Sequence, residues 1–262
     1  MRWSRVGFLA LVLAGTAAAS GRAGDLAPSG TLRATFLAAN PVQGVIDAAT
    51  GAVSGPAADL GQELARRQGV RFTIDGLAGV QAVIESVKTG AADIGFLAYD
   101  PARAVDVDFS QPYSLAYNTY LVQADSAVRA VADVDRPGMR IGVGKGDAAD
   151  LYLGRTLAHA TLRPNAGGTL TVAMTMFASG EIDAYAANRQ RLVELVATRP
   201  DMRVLPDNFL AVEQAIVVRK GDVARLAIVD RFIEDARASG LIRAALDRAR
   251  LTGVDVAPAR GQ

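Results

Sequence analysis

The chain has 262 residues, of which 50% are hydrophobic and 21% charged, with no cysteine and one histidine. That apolar fraction excludes a disordered chain, because it can bury enough surface to offset the entropy of ordering. Zinc is bound mostly by Cys and His, and thiol chemistry needs Cys, so we expect neither a metal site nor thiol catalysis. The length predicts one large domain or two lobes.

The charge balance gives no indication of a nucleic-acid partner. Arg2, Arg5 and Arg22 account for three of the 28 basic residues, and the first 23 positions hold no acid. The remainder carries 25 basic and 27 acidic residues, a net charge of −2. Nucleic-acid binding normally requires a clustered basic surface. We therefore expect no nucleic-acid partner.

Residues 1–23 have the organisation of a secretory signal peptide. A basic start up to Arg5 precedes an apolar stretch from Val6 to Ala19, which ends in the A-x-A pattern of a cleavage site. That stretch is shorter than the ~20 residues of a membrane-spanning helix, which disfavours the alternative of an uncleaved anchor. We predict cleavage within 19–24 and a periplasmic protein. No later stretch approaches the length of a membrane span, so we expect no membrane insertion of the mature chain, and with no Cys we expect no lipid anchor.

Strands and helices alternate along the rest of the chain, which predicts parallel βαβ units and an α/β fold. In the first half the predicted elements are strand 32–37, a helix around Leu60 and Leu64 ended by Gly69, strand 70–74, a helix on Val80, Val83, Ile84 and Val87, and strand 93–98. In the second half they are strand 139–143, helix 148–157, a helix from 170 ended by Gly180, strand 183–187, a helix after 222 broken by Gly240, and helix 241–250.

A short pattern, [ST]-G-x-x-D followed by a strand, occurs at Thr89–Asp93 and again at Ser179–Asp183. In each copy the glycine suits the end of a helix, and the Asp opens the next strand. Five residues beyond each Asp lie Ala98 and Asn188, at equivalent strand ends. Ligands of parallel sheets bind beyond these ends, so the two positions could share a cleft. Alternatively, the pattern is only a common helix-to-strand connection.

Taken in order, these segments resemble the bacterial extracellular solute-binding proteins of family 3. The most specific segment is Asp100–Tyr113 (DPARAVDVDFSQPY), which is similar to the family pattern T-P-E-R-A-x-x-V-D-F-S-x-P-Y. The likeness extends from about residue 30 to 250. It implies a two-lobed periplasmic binding protein fold of type II, in which each lobe is built on a βα sheet.

The resemblance also implies how the chain divides. Lobe I comprises 30–113 plus 218–262, lobe II comprises 119–212, and the hinge lies near 114–118 and 213–217. The expected motion is closure of the two lobes around a ligand, followed by docking on a membrane permease.

Two of the expected ligand-binding positions lie close to the D-P-A-R segment. Arg103 matches the arginine with which the family binds a ligand carboxylate, a contact that a planar guanidinium can make with two hydrogen bonds. The alternative is a surface arginine at a turn. Asp100 replaces the family's usual Thr and would add a carboxylate nearby, or only begin a turn before Pro101. Ala98 stands where the family usually has Ser or Thr, so only its backbone could contribute.

In the second lobe, Asp147 and Ala148 occupy the family's G-T-T position at a helix N-terminus, where free N–H groups favour an anion. Asp147 could instead be only the helix N-cap.

Asn188 stands where amino-acid binders place an Asp that pairs with the ligand ammonium. The ligand then lacks an ammonium, or Asp147, Asp100 or Glu213 takes over that role; otherwise Asn188 is only a turn residue. Asn40 and Val80 replace two aromatics that stack on the ligand in the family. The candidates to compensate are Tyr99, Tyr113, Tyr117 and Tyr185, and the favoured alternative is that each of them only packs in the fold.

The sequence thus predicts a monomeric, non-enzymatic receptor that binds a small anionic or zwitterionic solute and delivers it to an ABC permease. One alternative is a dehydratase of cyclohexadienyl acids, with Asp100, Asp147 or Glu213 as proton donor. The other is a loaded partner of a sensor. A nicotinamide cofactor is not expected, because Gly142–Gly146 does not match G-x-G-x-x-G.

Overall fold

The computed structural model describes residues 26–166 and 169–259. The predicted signal peptide lies outside these residues. Within them, none of the helices combines the length and the apolar character that crossing a membrane requires.

Thirteen strands are formed by the described residues, with these bounds: β1 Thr31–Leu37, β2 Val45–Ile46, β3 Val53–Ser54, β4 Arg71–Leu77, β5 Ile94–Ala98, β6 Val107–Phe109, β7 Ser114–Gln123, β8 Arg140–Gly144, β9 Thr161–Asn165, β10 Ala184–Asn188, β11 Met202–Val204, β12 Leu210–Arg219 and β13 Val254–Val256. The five strands expected from the sequence are confirmed as β1, β4, β5, β8 and β10, with bounds shifted by up to three residues.

Seven α-helices accompany the strands in the same part of the chain: α1 Pro56–Gln68, α2 Val80–Thr89, α3 Ala148–Thr156, α4 Leu170–Ala178, α5 Arg189–Val196, α6 Val223–Ala238 and α7 Leu241–Arg248. All except α5 are expected from the sequence, and α1, α2 and α6 are expected from their apolar spacing. Gly69 ends α1 and Gly90 follows α2, both in the left-handed conformation that glycine adopts at low cost.

One mixed sheet of eleven strands organises the fold, in the order β4-β1-β5-β12-β7-β10-β8-β9, with β6, β11 and β13 paired at its side. Strands β1, β4 and β5 are parallel to each other, as are β8, β9 and β10. Between these two parallel groups, β7 and β12 pair antiparallel from Ser114↔Gln214 to Asn118↔Leu210. The expected hinge segments 114–118 and 213–217 both lie within these two ten-residue strands.

The buried apolar side chains divide into clusters according to their position in the chain. Two clusters contain residues from 26–116 together with 215–254, including Phe36, Phe96 and Phe232. The other two contain only residues from 120–205, including Ile141 and Tyr185. Each parallel group of strands thus packs its helices on a core of its own.

The repeated pattern places its two Asp residues in matching structural roles. Asp93 accepts hydrogen bonds from the backbone N, Nε and Nη2 of Arg33, and Asp183 accepts the same three from Arg140. In each case the arginine lies on the neighbouring parallel strand, and its carbonyl accepts from the Asp backbone N at 2.8 Å. The pattern therefore joins helix to strand in the same way in both parallel groups.

Candidate functional site

A cavity of about 710 Å³ lies between the two parallel groups of strands. Its walls come from the segments that follow the carboxyl ends of the parallel strands, which is where open α/β sheets bind their ligands. Residues of β7 and β12, the strands that join the two groups, also line it. The wall segments are 39–43 after β1, 78–81 after β4, 97–98 at the end of β5 with 102–103 after it, 145–149 after β8 and 187–191 at the junction of β10 with α5.

Arg103 lines this cavity with its guanidinium held from both sides. Nη1 donates to the carbonyl of Ala98 at 2.8 Å, and Nη2 donates to the carbonyl of Gly146 at 2.9 Å. The residue is 6% exposed, and this burial lowers the pKa of its guanidinium. A guanidinium has five N–H donors, so these two contacts leave others for a ligand carboxylate. Arg103 is therefore not a surface arginine.

The two strand ends singled out by the repeated pattern meet at the cavity. Ala98 is the last residue of β5 and Asn188 the last of β10, and both line the walls. The side chain of Asn188 also begins α5, because its Oδ1 accepts from the backbone N of Arg191 at 3.4 Å. An amide that is neutral and already caps a helix differs from a carboxylate free to pair with an ammonium.

Asp147 lines the cavity at the start of α3, next to Ala148. Its backbone occupies the N-cap position, but its side chain accepts no cap hydrogen bond. Instead, Asp150 accepts from the backbone N of Gly146 at 2.8 Å. A role for Asp147 as helix cap alone is therefore wrong. Burial raises the pKa of the Asp147 carboxyl, and the charges of Arg191 and Arg103 oppose that rise.

The structure does not bring Asp100 to the cavity lining. Oδ1 of Asp100 accepts from the backbone N of Ala102 at 2.8 Å, and Oδ2 accepts from Nη2 of Arg155 at 3.2 Å. Both oxygens are thus used by the turn and by α3, which removes Asp100 as a ligand contact. Glu213 is exposed and lies outside the lining, because its neighbours Val212 and Gln214 point to the cavity in the alternating pattern of β12. Asp147 is therefore the one residue of these three that lines the cavity.

The cavity walls are rich in side-chain amides. Sequence reasoning identified Asn40 and Asn188 and missed the others, which are Gln43, Gln81, Asn118 and Gln214. It also missed Arg191, although its position in the first turn after Asn188 would have indicated it. Gln214 could have been inferred only from the pairing of β12 with β5, where it stands opposite Ala98.

No aromatic side chain belongs to the lining formed by the described residues. Tyr113 and Tyr185 are fully buried within apolar clusters, and Tyr117 donates to Asp255 at 2.9 Å. Tyr99 packs edge-on against Phe109, with 5.2 Å between the ring centroids. The tyrosines therefore do not compensate for the two missing aromatics. His159, the one histidine, is exposed beyond α3.

Comparison with known proteins agrees with this geometry. A sequence model of the bacterial extracellular solute-binding proteins, family 3, matches residues 33–249. The chain belongs to this family. The resemblance inferred from the D-P-A-R segment is confirmed. Among curated proteins, none matches the chain.

Solved structures similar to this chain share its fold. One is a mutant of ArgBP from T. maritima, with a TM-score of 0.71 and 24% identity over 87% of this chain and 99% of the other. Another is the amino acid ABC transporter substrate-binding protein AbpA from Streptococcus pneumoniae bound to L-arginine, with a TM-score of 0.71 and 20% identity over 86% and 96%.

A third similar structure is an ancestral amino acid-binding protein, a precursor of cyclohexadienyl dehydratase. Its TM-score is 0.70, with 23% identity over 86% of this chain and 97% of the other. These likenesses confirm the α/β fold of periplasmic binding proteins that the sequence predicts.

Proposed function

We propose that this chain is the solute-binding component of an ABC importer and captures a small polar solute that carries a carboxylate. The observation that carries this proposal is the position of Arg103, buried in a cavity at the carboxyl ends of both parallel strand groups. A buried guanidinium with unused donors favours a carboxylate, because charge-assisted hydrogen bonds are the strongest that a side chain makes. Family membership and the arginine-bound relative support the same class of ligand.

The capture mechanism that we propose uses the division of the chain given by the resemblance. Lobe I is 30–113 plus 218–262, lobe II is 119–212, and the hinge lies near 114–118 and 213–217. The separate apolar clusters support two bodies that move relative to each other. The loaded, closed form would be recognised by the permease in the periplasm, after cleavage of the signal peptide within 19–24.

A thermal-shift screen of the chain from residue 24 tests the proposal. Amino acids are paired with their deaminated acids, and a dye reports unfolding because Trp3, the one tryptophan, precedes this start. A ligand at about 100 times its Kd adds about 2.7 kcal/mol. For a protein of this size we expect the melting temperature to rise by about 5–10 °C. The absence of a shift with every acid would refute a carboxylate receptor.

Dehydration of a cyclohexadienyl acid is a second candidate, and Asp147 is the observation that favours it. Its carboxyl lines the cavity, and burial raises its pKa, as a proton donor requires. If this reaction occurs, prephenate is converted by the wild type and not by Asp147→Asn. Stoichiometric binding without turnover would assign the chain to the receptor class.

A further inference from the structure

Two buried glutamines connect the backbone of β1 to the cavity. Gln43 is 0% exposed and Gln214 is 2% exposed. Oε1 of Gln43 accepts from the backbone N of Leu37 at 3.1 Å, and Nε2 of Gln43 lies 3.0 Å from Oε1 of Gln214. A third amide, Nδ2 of Asn40, lies 3.4 Å from the same Gln214 oxygen.

The chain of hydrogen bonds from Leu37 through Gln43 to Gln214 is called the Gln43–Gln214 relay. The backbone N–H of Leu37 determines which way the two glutamine amides point. A backbone N–H can only donate, so Gln43 must turn its oxygen toward Leu37 and its NH₂ toward Gln214. Gln214 must then offer its oxygen to Gln43. Its own NH₂ remains, and it donates to none of the described residues although Gln214 lines the cavity. The relay therefore presents a fixed donor to whatever occupies the cavity.

Asn118 presents a second amide further along the same pair of strands. It is 4% exposed and lines the cavity, and its side chain has no hydrogen-bond partner in the described part of the chain. It stands opposite Asn188 in the pairing of β7 with β10, whereas Gln214 stands opposite Ala98 in that of β12 with β5. The two amides thus face the cavity from its two sides.

We infer that the solute carries, besides its carboxylate, a neutral oxygen that accepts a hydrogen bond from the NH₂ of Gln214. The solute is therefore a hydroxy acid or a carboxamide acid. An apolar ligand body would leave the Gln214 donor and the Asn118 amide buried and unpaired, which is more costly than a hydrogen bond is favourable. The lining, free of aromatics over the described residues, offers no stacking surface to a flat solute. This inference rests on the proposed function and specifies its ligand.

Calorimetry on matched acids tests the inference. L-glutamine is compared with L-norleucine, glutaramate with hexanoate, and 4-hydroxybutyrate with pentanoate, so that each pair differs in the neutral oxygen group. We expect the oxygen-bearing member of at least one pair to bind about 5- to 100-fold more tightly, the range that an unpaired buried polar group predicts.

Two variants assign this preference to the relay. Gln214→Met removes the NH₂ donor. Gln214→Glu also removes it but keeps an oxygen that accepts from Gln43 and Asn40, so this second variant preserves the relay if Gln214→Met fails to fold. Both are expected to bring the ratio of the two Kd values toward one. The control Gln62→Met, at an exposed position of α1 outside the cavity lining, is expected to leave it unchanged.

Equal binding within every pair, or a ratio that survives both Gln214 variants, would overturn the inference and leave the proposed function intact. If neither member of any pair binds, the carboxylate receptor itself is refuted, and the inference with it.

Discussion

Replacing Arg103 by Ala should abolish most of the affinity for a carboxylate solute. Two charge-assisted hydrogen bonds from the guanidinium to a carboxylate contribute roughly 1.5–3 kcal/mol each. Their loss raises Kd by about 10²- to 10⁴-fold. Arg103→Lys keeps the charge but not the planar pair of donors, so its affinity should lie between those of the wild type and Arg103→Ala. Titration calorimetry with an acid found by the thermal-shift screen measures both values.

Arg237 provides a matched control for the structural part of this effect. It is a partly buried arginine whose Nε and Nη2 donate to the carbonyls of Ala257 and Pro112, both at 2.8 Å, away from the cavity. Burial lowers the pKa of its guanidinium, as it does for Arg103. Arg237→Ala should therefore lower the melting temperature and leave Kd unchanged. An unchanged Kd in Arg103→Ala as well would refute the assignment of Arg103 to the ligand.

Three further outcomes are expected. Asn188→Asp should raise the affinity for α-amino acids relative to their deaminated analogues in calorimetry, because a carboxylate pairs with an ammonium; an unchanged ratio would place position 188 away from the amino end. Burial raises the Asp147 pKa, so its ionisation costs stability once the pH rises above the ordinary value of 3.8. Asp147→Asn should therefore melt higher than the wild type at pH 7 and equally below pH 3.8, and a gap independent of pH would contradict this. Asp93→Ala should lower the urea midpoint of unfolding more than Asp183→Ala. The side chain of Asp93 is 2% exposed and that of Asp183 is 33% exposed, so solvent screening weakens the Arg140–Asp183 ion pair more. Equal losses would show that burial does not determine the contribution of these ion pairs.

Much of the local structure is encoded in short segments of the sequence. The apolar spacing at Val80, Val83, Ile84 and Val87 predicts α2, because a helix that packs on a sheet must present one apolar stripe. Gly90 ends that helix because glycine adopts the left-handed conformation at low cost. Elements of this kind depend on neighbours within a few residues, and the sequence alone predicts them.

The long strands β7 and β12 were not predicted, because their pairing joins residues about a hundred positions apart. Neither strand follows a simple alternation, since several successive residues at the carboxyl end of each are buried on both faces. Such runs do not distinguish a central strand from a connecting segment.

The residues of the candidate site also fall into those that local sequence predicts and those that depend on tertiary contacts. Arg103, Ala98 and Asn188 could be found from a motif and a repeated pattern, because strand ends and helix starts can be located from local sequence. The contact of Arg155 with Asp100 and the direction of the Gln43–Gln214 relay depend on contacts between distant segments. The sequence by itself determined six of the seven helices, five of the strands and the position of Arg103 as a candidate site residue. Only the tertiary structure decided which polar groups face the cavity, because burial and hydrogen-bond direction are properties of the packed chain.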